Sequence, residues 1–164
     1  MQRRAARADF LDASALVKVF TDEPCSDIAR EYFRSRPTKY TTPFCFYEAM
    51  NVLKGKWKYR LELTLVEYLD AAHKLTLWYG LSSARVKDLD FTAPSVFLQA
   101  KEIAQRSHLD LSDAFQVLSV KNGYFSVLAN DSATVLVTAD KALAAMARAE
   151  GLRAWDLVNE SPPP

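Results

Sequence analysis

Residues 134–140, Thr-Val-Leu-Val-Thr-Ala-Asp, are a short run of β-branched and aliphatic side chains that ends in a carboxylate. Such a run is typical of a strand that is buried on both faces, as the strands of parallel sheets are. The alanine-rich segment 140–150 follows directly and predicts a helix that Gly151 stops, and residues 152–155 predict a further strand. Strand, helix and strand in this order indicate a parallel βαβ unit.

The rest of the chain predicts the same kind of alternation. Local signals support the element starts; for example, Thr42 and Pro43 are a preferred helix cap and a preferred first helical residue. Together the elements predict a parallel sheet sandwiched between helices. In chain order the earlier elements are a strand at 9–12, helices at 14–20 and 25–34, a strand at 39–42, helices at 43–59 and 64–78 with Gly80 ending the second, a strand at 86–91, and helices at 94–107 and 113–120.

Four carboxylates stand where a predicted strand ends or close to where a predicted helix begins: Asp12, Glu48, Asp113 and Asp140. In open parallel sheets the working groups gather at the carboxyl ends of the strands, so acids far apart in sequence can share one crevice. Carboxylates held close together repel one another and raise their pKa values, unless a divalent cation neutralises them. Ligation by oxygen alone suits Mg²⁺ or Mn²⁺. The pattern therefore predicts a metal pocket suited to phosphodiester hydrolysis by a bound water of lowered pKa.

Each acid also has an ordinary interpretation as a group that stabilises a helix start. Aspartate is a preferred helix cap, and the helix dipole favours a negative charge near a helix N-terminus. The cap interpretation applies to Asp12, to Asp140, and to Ser112 or Asp113, whereas the dipole interpretation applies to Glu48. Asp131 is a rival to Asp140 as the fourth acid.

Polar neighbours are expected to support the acids. Ser14 and Thr138 are placed to hydrogen-bond the ligating carboxylates. Asn51 follows Glu48 by one helical turn and faces the same way, so it is expected to orient that acid or a water beside it.

Residues 54–60, Lys-Gly-Lys-Trp-Lys-Tyr-Arg, contribute four cations and two aromatic rings just after the helix that carries Glu48. Cations can follow a phosphate backbone while aromatic faces stack on unpaired bases, which is the usual means of binding single-stranded nucleic acid. The alternative is a solvated helix end whose cations the helix dipole favours, with Trp57 in the core. The expected substrate contacts are Lys54, Lys56, Lys58 and Arg60.

The composition is that of one globular domain. The 164 residues carry a formal net charge of +1, so a site for a polyanion must be a local patch. Cys25 and Cys45 lack metal-site spacing and no apolar signal segment precedes them, which favours a reduced, cytoplasmic protein without a membrane segment. We expect a basic arm at 1–8, the domain at 9–158 and a proline-rich tail at 159–164.

Four motifs resemble those of the PIN-domain family, and most closely those of the VapC-type toxins of toxin–antitoxin modules. The motifs are residues 10–18 with 22–24 after them, residues 42–49, residues 111–115 and residues 136–140. The similarity extends over about residues 9–158, with an arginine-bearing start and a longer stretch at 123–132 as departures. It implies a PIN-like three-layer α/β/α sandwich with a central, mostly parallel sheet, in which Asp12, Glu48, Asp113 and Asp140 match the family's four acids.

The resemblance further implies an endoribonuclease that depends on Mg²⁺ or Mn²⁺, acts on RNA, forms a homodimer and is neutralised by a cognate antitoxin protein. One alternative is a PIN nuclease with a housekeeping role in RNA processing, and another is a non-catalytic PIN-like module that binds RNA or protein. A phosphoacceptor signalling domain also gathers aspartates around Mg²⁺, but it needs a lysine that ends a late strand, whereas Lys141 follows Asp140 at a helix start.

Overall fold

The computed structural model of the protein describes residues 7–35, 38–127 and 134–164. The strands are β1 (Ala8–Leu11), β2 (Thr38–Tyr40), β3 (Val135–Thr138) and β4 (Arg153–Asp156). The helices with defined bounds are α1 (Ala13–Phe20), α2 (Ser26–Arg34), α3 (Pro43–Lys58), α4 (Leu65–Ser82), α5 (Pro94–Ser107), α6 (Leu111–Asn122) and α7 (Lys141–Ala149). The strands form one sheet in the order β2-β1-β3-β4, and each described pair is parallel.

The two faces of the sheet pack against different helices. Phe10 and Leu136 lie on one face and belong to a core with α5, α6 and α7. Leu11, Val137 and Trp155 lie on the other face and belong to a core with α1, α2 and α4. Successive strand residues point to opposite faces, so the central strands β1 and β3 supply both cores. The long helix α3 contributes buried side chains to both. The predicted three-layer α/β/α sandwich with a parallel sheet is confirmed.

Strands β1 and β3 lie side by side in the middle of the sheet, with Leu11 beside Val137. The connection after β1 leads to β2 on one side, whereas the connection after β3 leads to β4 on the other. The strand order therefore reverses between β1 and β3, which is where a crevice forms at the carboxyl ends of parallel strands. Asp12 continues the pairing beyond β1, because its N–H donates to the Val137 carbonyl at 3.1 Å.

Residues 86–91 are irregular, so the strand predicted there was wrong. The Asp88 carboxylate accepts a hydrogen bond from the Phe44 N–H at 2.7 Å, and the Asp90 carboxylate accepts one from the Thr92 N–H at 3.0 Å. Bonds from short polar side chains to the backbone compete with strand pairing. The segment therefore supports the start of α3 rather than extending the sheet.

Helix α4 continues past Gly80, so the predicted helix end at that glycine was also wrong. A glycine inside a helix costs only about 1 kcal/mol relative to alanine. Packing around the last turn outweighs that cost, because the Tyr79 ring stacks on Phe46 at 4.2 Å and the helix ends at the buried Ser83. Among the described ranges, neither this helix nor any other is long and apolar enough to cross a membrane.

Helix α6 begins at Leu111, two residues before its predicted start at Asp113. Asp110 occupies the cap position, although its side chain makes no capping bond. The predicted cap role of Ser112 or Asp113 was therefore wrong, and Asp113 instead lies in the first turn of α6. The remaining predicted elements match the observed ones with ends that differ by at most two residues.

The amino end of β1 carries a buried aspartate, Asp9, whose oxygens accept four hydrogen bonds. Arg7 donates from Nε to Oδ1 at 2.8 Å and from Nη2 to Oδ2 at 3.1 Å. The Tyr32 hydroxyl donates to Oδ2 at 2.6 Å, and the Val135 N–H donates to Oδ1 at 3.0 Å. The cluster joins β1 to α2 and β3, and Arg7 of the predicted basic arm belongs to it. Residues 1–6 of that arm lie outside the described residues.

Replacing Asp9 with alanine should destabilise the fold strongly. The substitution leaves the Arg7 guanidinium and two other donors without their shared acceptor, and breaking a buried ion pair in this way costs about 3–5 kcal/mol. Urea denaturation near neutral pH measures the free energy of unfolding. Asp27→Ala is the matched control, since the Asp27 side chain is fully exposed and its ion pair with Arg30 contributes at most about 1 kcal/mol. Equal losses in the two variants would contradict the prediction.

Candidate active site

The Asp12 carboxylate lies just beyond the carboxyl end of β1 and is buried. The Ser14 hydroxyl lies 2.8 and 2.9 Å from its two oxygens, and the Thr138 hydroxyl donates to Oδ2 at 2.6 Å. The Ala15 N–H donates to Oδ1 at 2.8 Å, so Asp12 also caps α1. These neutral donors fix the carboxylate, and among the described residues no cationic side chain hydrogen-bonds to it.

Thr138 connects Asp12 to Asp140. Its hydroxyl oxygen accepts a hydrogen bond from the Asp140 N–H at 2.9 Å while its proton is donated to Asp12. Oδ1 of Asp140 accepts from the N–H groups of Ala142 and Leu143 at 2.8 and 3.1 Å, so Asp140 caps α7. The cap interpretation is thus correct for both aspartates, and it does not prevent them from sharing a cavity.

Glu48 is half-buried on α3 and is held by a residue of α6. Its Oε2 accepts a hydrogen bond from Nε2 of Gln116 at 3.1 Å. Gln116 is only 3% exposed, and its Oε1 has no hydrogen-bond partner among the described residues. Because Gln116 follows Asp113 by three residues, one helix supplies both an acid and the amide that holds another acid.

The four predicted acids line one cavity of about 390 Å³ at the carboxyl edge of the sheet. They come from the ends of β1 and β3 and from helices α3 and α6. The acids are Asp12, Glu48, Asp113 and Asp140, and three cationic side chains also line the cavity, those of Lys18, Lys56 and Arg60. The structure therefore brings together acids that are far apart in the chain.

The carboxylates perturb one another. Burial raises the pKa of Asp12 to about 6 in spite of its hydrogen bonds, and the charge of Glu48 adds to the rise. Burial and the charge of Asp113 raise the pKa of Glu48. Burial and the charges of Asp140 and Asp110 raise the pKa of Asp113. In each of these three cases the charge of a nearby carboxylate adds to the effect of burial, because like charges held close together repel one another.

The cavity fits a hard divalent cation in its chemistry, although its side chains are not gathered around a single point. Among the described residues, no three His, Cys, Asp or Glu side chains lie close enough together to hold a metal ion as they are placed. The donors nevertheless suit Mg²⁺ or Mn²⁺, since they are carboxylate oxygens together with the unpartnered Oε1 of Gln116. A cation would also neutralise the repulsion between the acids.

One wall of the cavity is an ion-pair network around Lys56. The Nζ of Lys56 lies 2.7 Å from carboxylate oxygens of both Glu23 and Glu62, and Lys18 pairs with Glu23 at 2.9 Å. Burial alone would raise the pKa of Glu23, but the hydrogen bonds from Lys56 and Lys18 bring it below its ordinary value. Lys56, an expected substrate contact, is therefore already engaged with two acids.

The other cations of the basic stretch are accessible. Lys54, Lys58 and Arg60 are exposed, and Arg60 reaches the acidic cavity. Trp57 is half-buried and stacks on Tyr68 with 4.9 Å between ring centroids, so its face is used in packing rather than open to a base.

Two amide side chains differ from what the sequence predicted. Asn51 was expected to orient Glu48, whereas the residue that hydrogen-bonds to Glu48 is Gln116. Asn51 is exposed and lines a neighbouring groove together with Glu48. Gln116 was not predicted as a site residue, although its spacing from Asp113 was a signal for it. Asp131, the rival fourth acid, lies outside the described residues.

Comparisons with known proteins agree with the observed fold. The PIN domain family model matches residues 10–153. The crystal structure of PAE2754 from Pyrobaculum aerophilum has a similar fold, with a TM-score of 0.58 and 21% sequence identity over 94% of this chain and 88% of that chain. At this identity the likeness concerns the fold alone. No curated protein matches the sequence.

Asp12→Asn should stabilise the metal-free protein near neutral pH. The pKa of Asp12 rises from 3.8 to about 6 on folding, so the folded state binds more protons between these values and loses stability as pH rises through them. Asparagine removes that penalty, and we expect a gain of about 1–3 kcal/mol at neutral pH that shrinks as pH falls towards 4. Urea denaturation in EDTA at several pH values tests this, with Asp27→Asn as an exposed control. A loss of stability at every pH would contradict it.

Gln116→Leu should weaken the response to Mn²⁺ without weakening the metal-free fold. Leucine keeps the bulk but cannot hold Glu48, and loss of such a supporting hydrogen bond lowers metal affinity by about 10–100-fold. Thermal unfolding with increasing Mn²⁺ measures the effect. Ser119→Ala is the matched control, because Ser119 is buried on the same helix with an unpartnered hydroxyl but does not line the cavity. A full Mn²⁺ response in Gln116→Leu would exclude the role.

Proposed function

The chain belongs to the PIN-domain family, a family of nucleases, and on this premise we propose that it is a Mg²⁺- or Mn²⁺-dependent endoribonuclease that hydrolyses RNA phosphodiester bonds. The observation that carries the proposal is the shared cavity of the four acids. Burial and neighbouring carboxylates raise the pKa values of Asp12, Glu48 and Asp113, and such perturbed acids in a cavity are typical of a functional site.

In this proposal Asp12, Glu48, Asp113 and Asp140 hold the divalent cation, which would polarise the phosphate and lower the pKa of a water. The Ser14 and Thr138 hydroxyls orient Asp12, and Gln116 orients Glu48. Such supporting bonds fix the direction of the ligating oxygens. Since the pKa values of Asp12, Glu48 and Asp113 are raised, cation binding displaces protons from them and should strengthen as pH rises.

The exposed cations would bind the RNA backbone. Arg60 is the best placed, because its side chain lines the cavity that holds the acids. Lys54 and Lys58 continue from it along the end of α3 as solvent-exposed charges. Lys56 would have to leave Glu23 and Glu62 to contact RNA, so its proposed role there is weaker than those of its neighbours.

We further propose that the protein is the toxin of a toxin–antitoxin module, that it forms a homodimer, and that a cognate antitoxin protein neutralises it. The motif resemblance supports this, as does a set of exposed apolar side chains on α4, since such patches mark protein contacts. These side chains are Leu65, Val66, Leu69, Leu77 and Leu81. A housekeeping RNA-processing nuclease is the alternative role. A non-catalytic binding module would bind RNA without cutting it in either metal.

Asp113→Asn should abolish cleavage while leaving the protein folded. The substitution removes one of the proposed cation ligands, and we expect a loss of about 10²–10⁴-fold, the range for removal of a catalytic acid or base. Fluorescent RNAs, single-stranded and structured, are incubated with Mg²⁺ or Mn²⁺ and resolved by gel, with EDTA as the negative control. Circular dichroism checks the fold.

Asp27→Asn is the matched control for this experiment. Like Asp113, Asp27 lies in the first turn of a helix, but it is exposed and does not line the cavity, so the variant should cut RNA like the parent. Metal-dependent cleavage that survives Asp113→Asn would defeat the proposal, because the activity would then come from elsewhere or from a contaminant.

A further inference from the structure

A groove of about 700 Å³ opens beside the acidic cavity, along the outer side of α3. Glu48, Val52 and Arg60 line both the groove and the cavity. If one phosphate of a nucleic-acid chain lies at the acids, the nucleotide next to that phosphate would therefore lie in this groove. The continuity of the two spaces is the first reason to treat the groove as part of the substrate site.

Two aromatic rings lie in the groove with most of their surface in solvent. Tyr47 on α3 is 68% exposed, and Phe91 in the irregular segment before α5 is 63% exposed. Phe91 makes an edge contact with Phe115, with 5.9 Å between ring centroids, so its position is set by the core while the ring stays accessible. Exposed rings fixed in this way are suitable platforms for stacking a planar ligand.

The groove also carries the polar groups that a nucleotide needs. Asn51 is exposed in it and offers an amide donor and acceptor, the groups that hydrogen-bond a base edge. Arg60 stands where the groove joins the acidic cavity and supplies a positive charge for a phosphate. Flat apolar surface, a hydrogen-bonding amide and a cation thus line the same groove.

A second, neighbouring cavity differs from the groove in the chemistry of its lining residues. It also includes Phe44 and Phe91, but the other described residues that line it are apolar apart from Ser112, and none of them is charged. Such a surface fits an aliphatic or aromatic side chain of a protein. The groove differs because Arg60, Asn51 and the carboxylates of Glu48 and Asp88 add charge and hydrogen bonding, and this polar chemistry favours a nucleotide over an apolar protein segment.

We propose that the groove binds a nucleobase of single-stranded RNA, on a nucleotide next to the phosphate at the acids. Tyr47 and Phe91 supply the stacking surface, Asn51 contacts the base edge and Arg60 binds the linking phosphate. The inference rests on the proposed function and narrows its substrate, because a base must be unpaired and turned out to stack on a protein ring. Duplex RNA keeps its bases inside the helix and cannot fill the groove.

The test is equilibrium binding by the full chain carrying Asp113→Asn, so that the RNA stays intact. The probe is a fluorescein-labelled single-stranded RNA about 12 nucleotides long, within the range of single-strand sites, read by anisotropy. Tyr47→Ala and Phe91→Ala should each weaken binding by about 5- to 100-fold, the loss expected from removing a base stack, whereas Tyr47→Phe should bind like the parent. The same sequence as a duplex should bind more weakly than the single strand.

Tyr124→Ala is the matched control. Tyr124 is 57% exposed but lies beyond the far end of α6 and lines neither the groove nor the cavity, so its removal should leave RNA affinity unchanged. Equal affinity of Tyr47→Ala, Phe91→Ala and the parent would overturn the proposal. So would a Tyr47→Ala protein that binds RNA normally but sediments with an altered oligomeric state, since the groove would then be a protein contact.

The failure of this inference and of the nuclease proposal can be told apart. Protein with Asp113 intact that binds single strands through Tyr47 but never cuts them would refute the nuclease and leave the groove assignment standing. Metal-dependent cutting that is unaffected by Tyr47→Ala, at RNA concentrations below saturation, would refute the groove and leave the nuclease standing.

Discussion

The pairing of β1 with β3 in the middle of the sheet is the constraint on which the acidic cavity depends. Thr138, the last residue of β3, donates to Asp12 just beyond β1 and accepts from the Asp140 N–H, so one hydroxyl holds two acids in register. The same pairing sets where α1 and α7 begin, because Asp12 and Asp140 cap them. Glu48 and Asp113 reach this edge on helices that pack over the sheet. The topology of the fold therefore creates the site, because each acid lies on or next to a different strand or helix.

Two buried aspartates, Asp9 in strand β1 and Asp12 just beyond its carboxyl end, have opposite environments. Asp9, at the amino end, is bonded by the Arg7 guanidinium together with a hydroxyl and a backbone N–H, so its charge is compensated inside the fold. Among the described residues, the donors to Asp12, just beyond the carboxyl end, are hydroxyls and an N–H, and the charge of Glu48 opposes its ionisation. A buried charge without an opposite charge is unfavourable. The aspartate at the amino end thus stabilises the fold, whereas the charge of the aspartate at the carboxyl end can be neutralised by a cationic ligand.

Short-range signals predicted most of the fold, and long-range packing explains what they missed. The cap at Thr42 lies where a helix does begin, because capping depends on neighbouring residues. Gly80 was misjudged as a helix end because the ring of Phe46, on another helix, stacks on Tyr79 beside it. At the site, the four acids could be named from their places at element ends, but the bond from Gln116 to Glu48 requires knowing that α6 packs beside α3. Likewise, nothing near Lys56 in sequence reveals that Glu23 neutralises it.

The separation in sequence between Asp12 and Thr138 also affects when the site can form during synthesis of the chain. Their hydrogen bond joins positions 126 residues apart, and contacts of such separation form only after the intervening chain has been ordered. The N-terminal part of a chain leaves the ribosome first, at about 5–20 residues per second, so Asp12 and Glu48 are made before the residues that complete their surroundings. Synthesis of β3 is the step after which the cavity can close. Until β3 has been made, a growing chain therefore carries Asp12, Glu48 and Asp113 without the strand that joins them into one cavity.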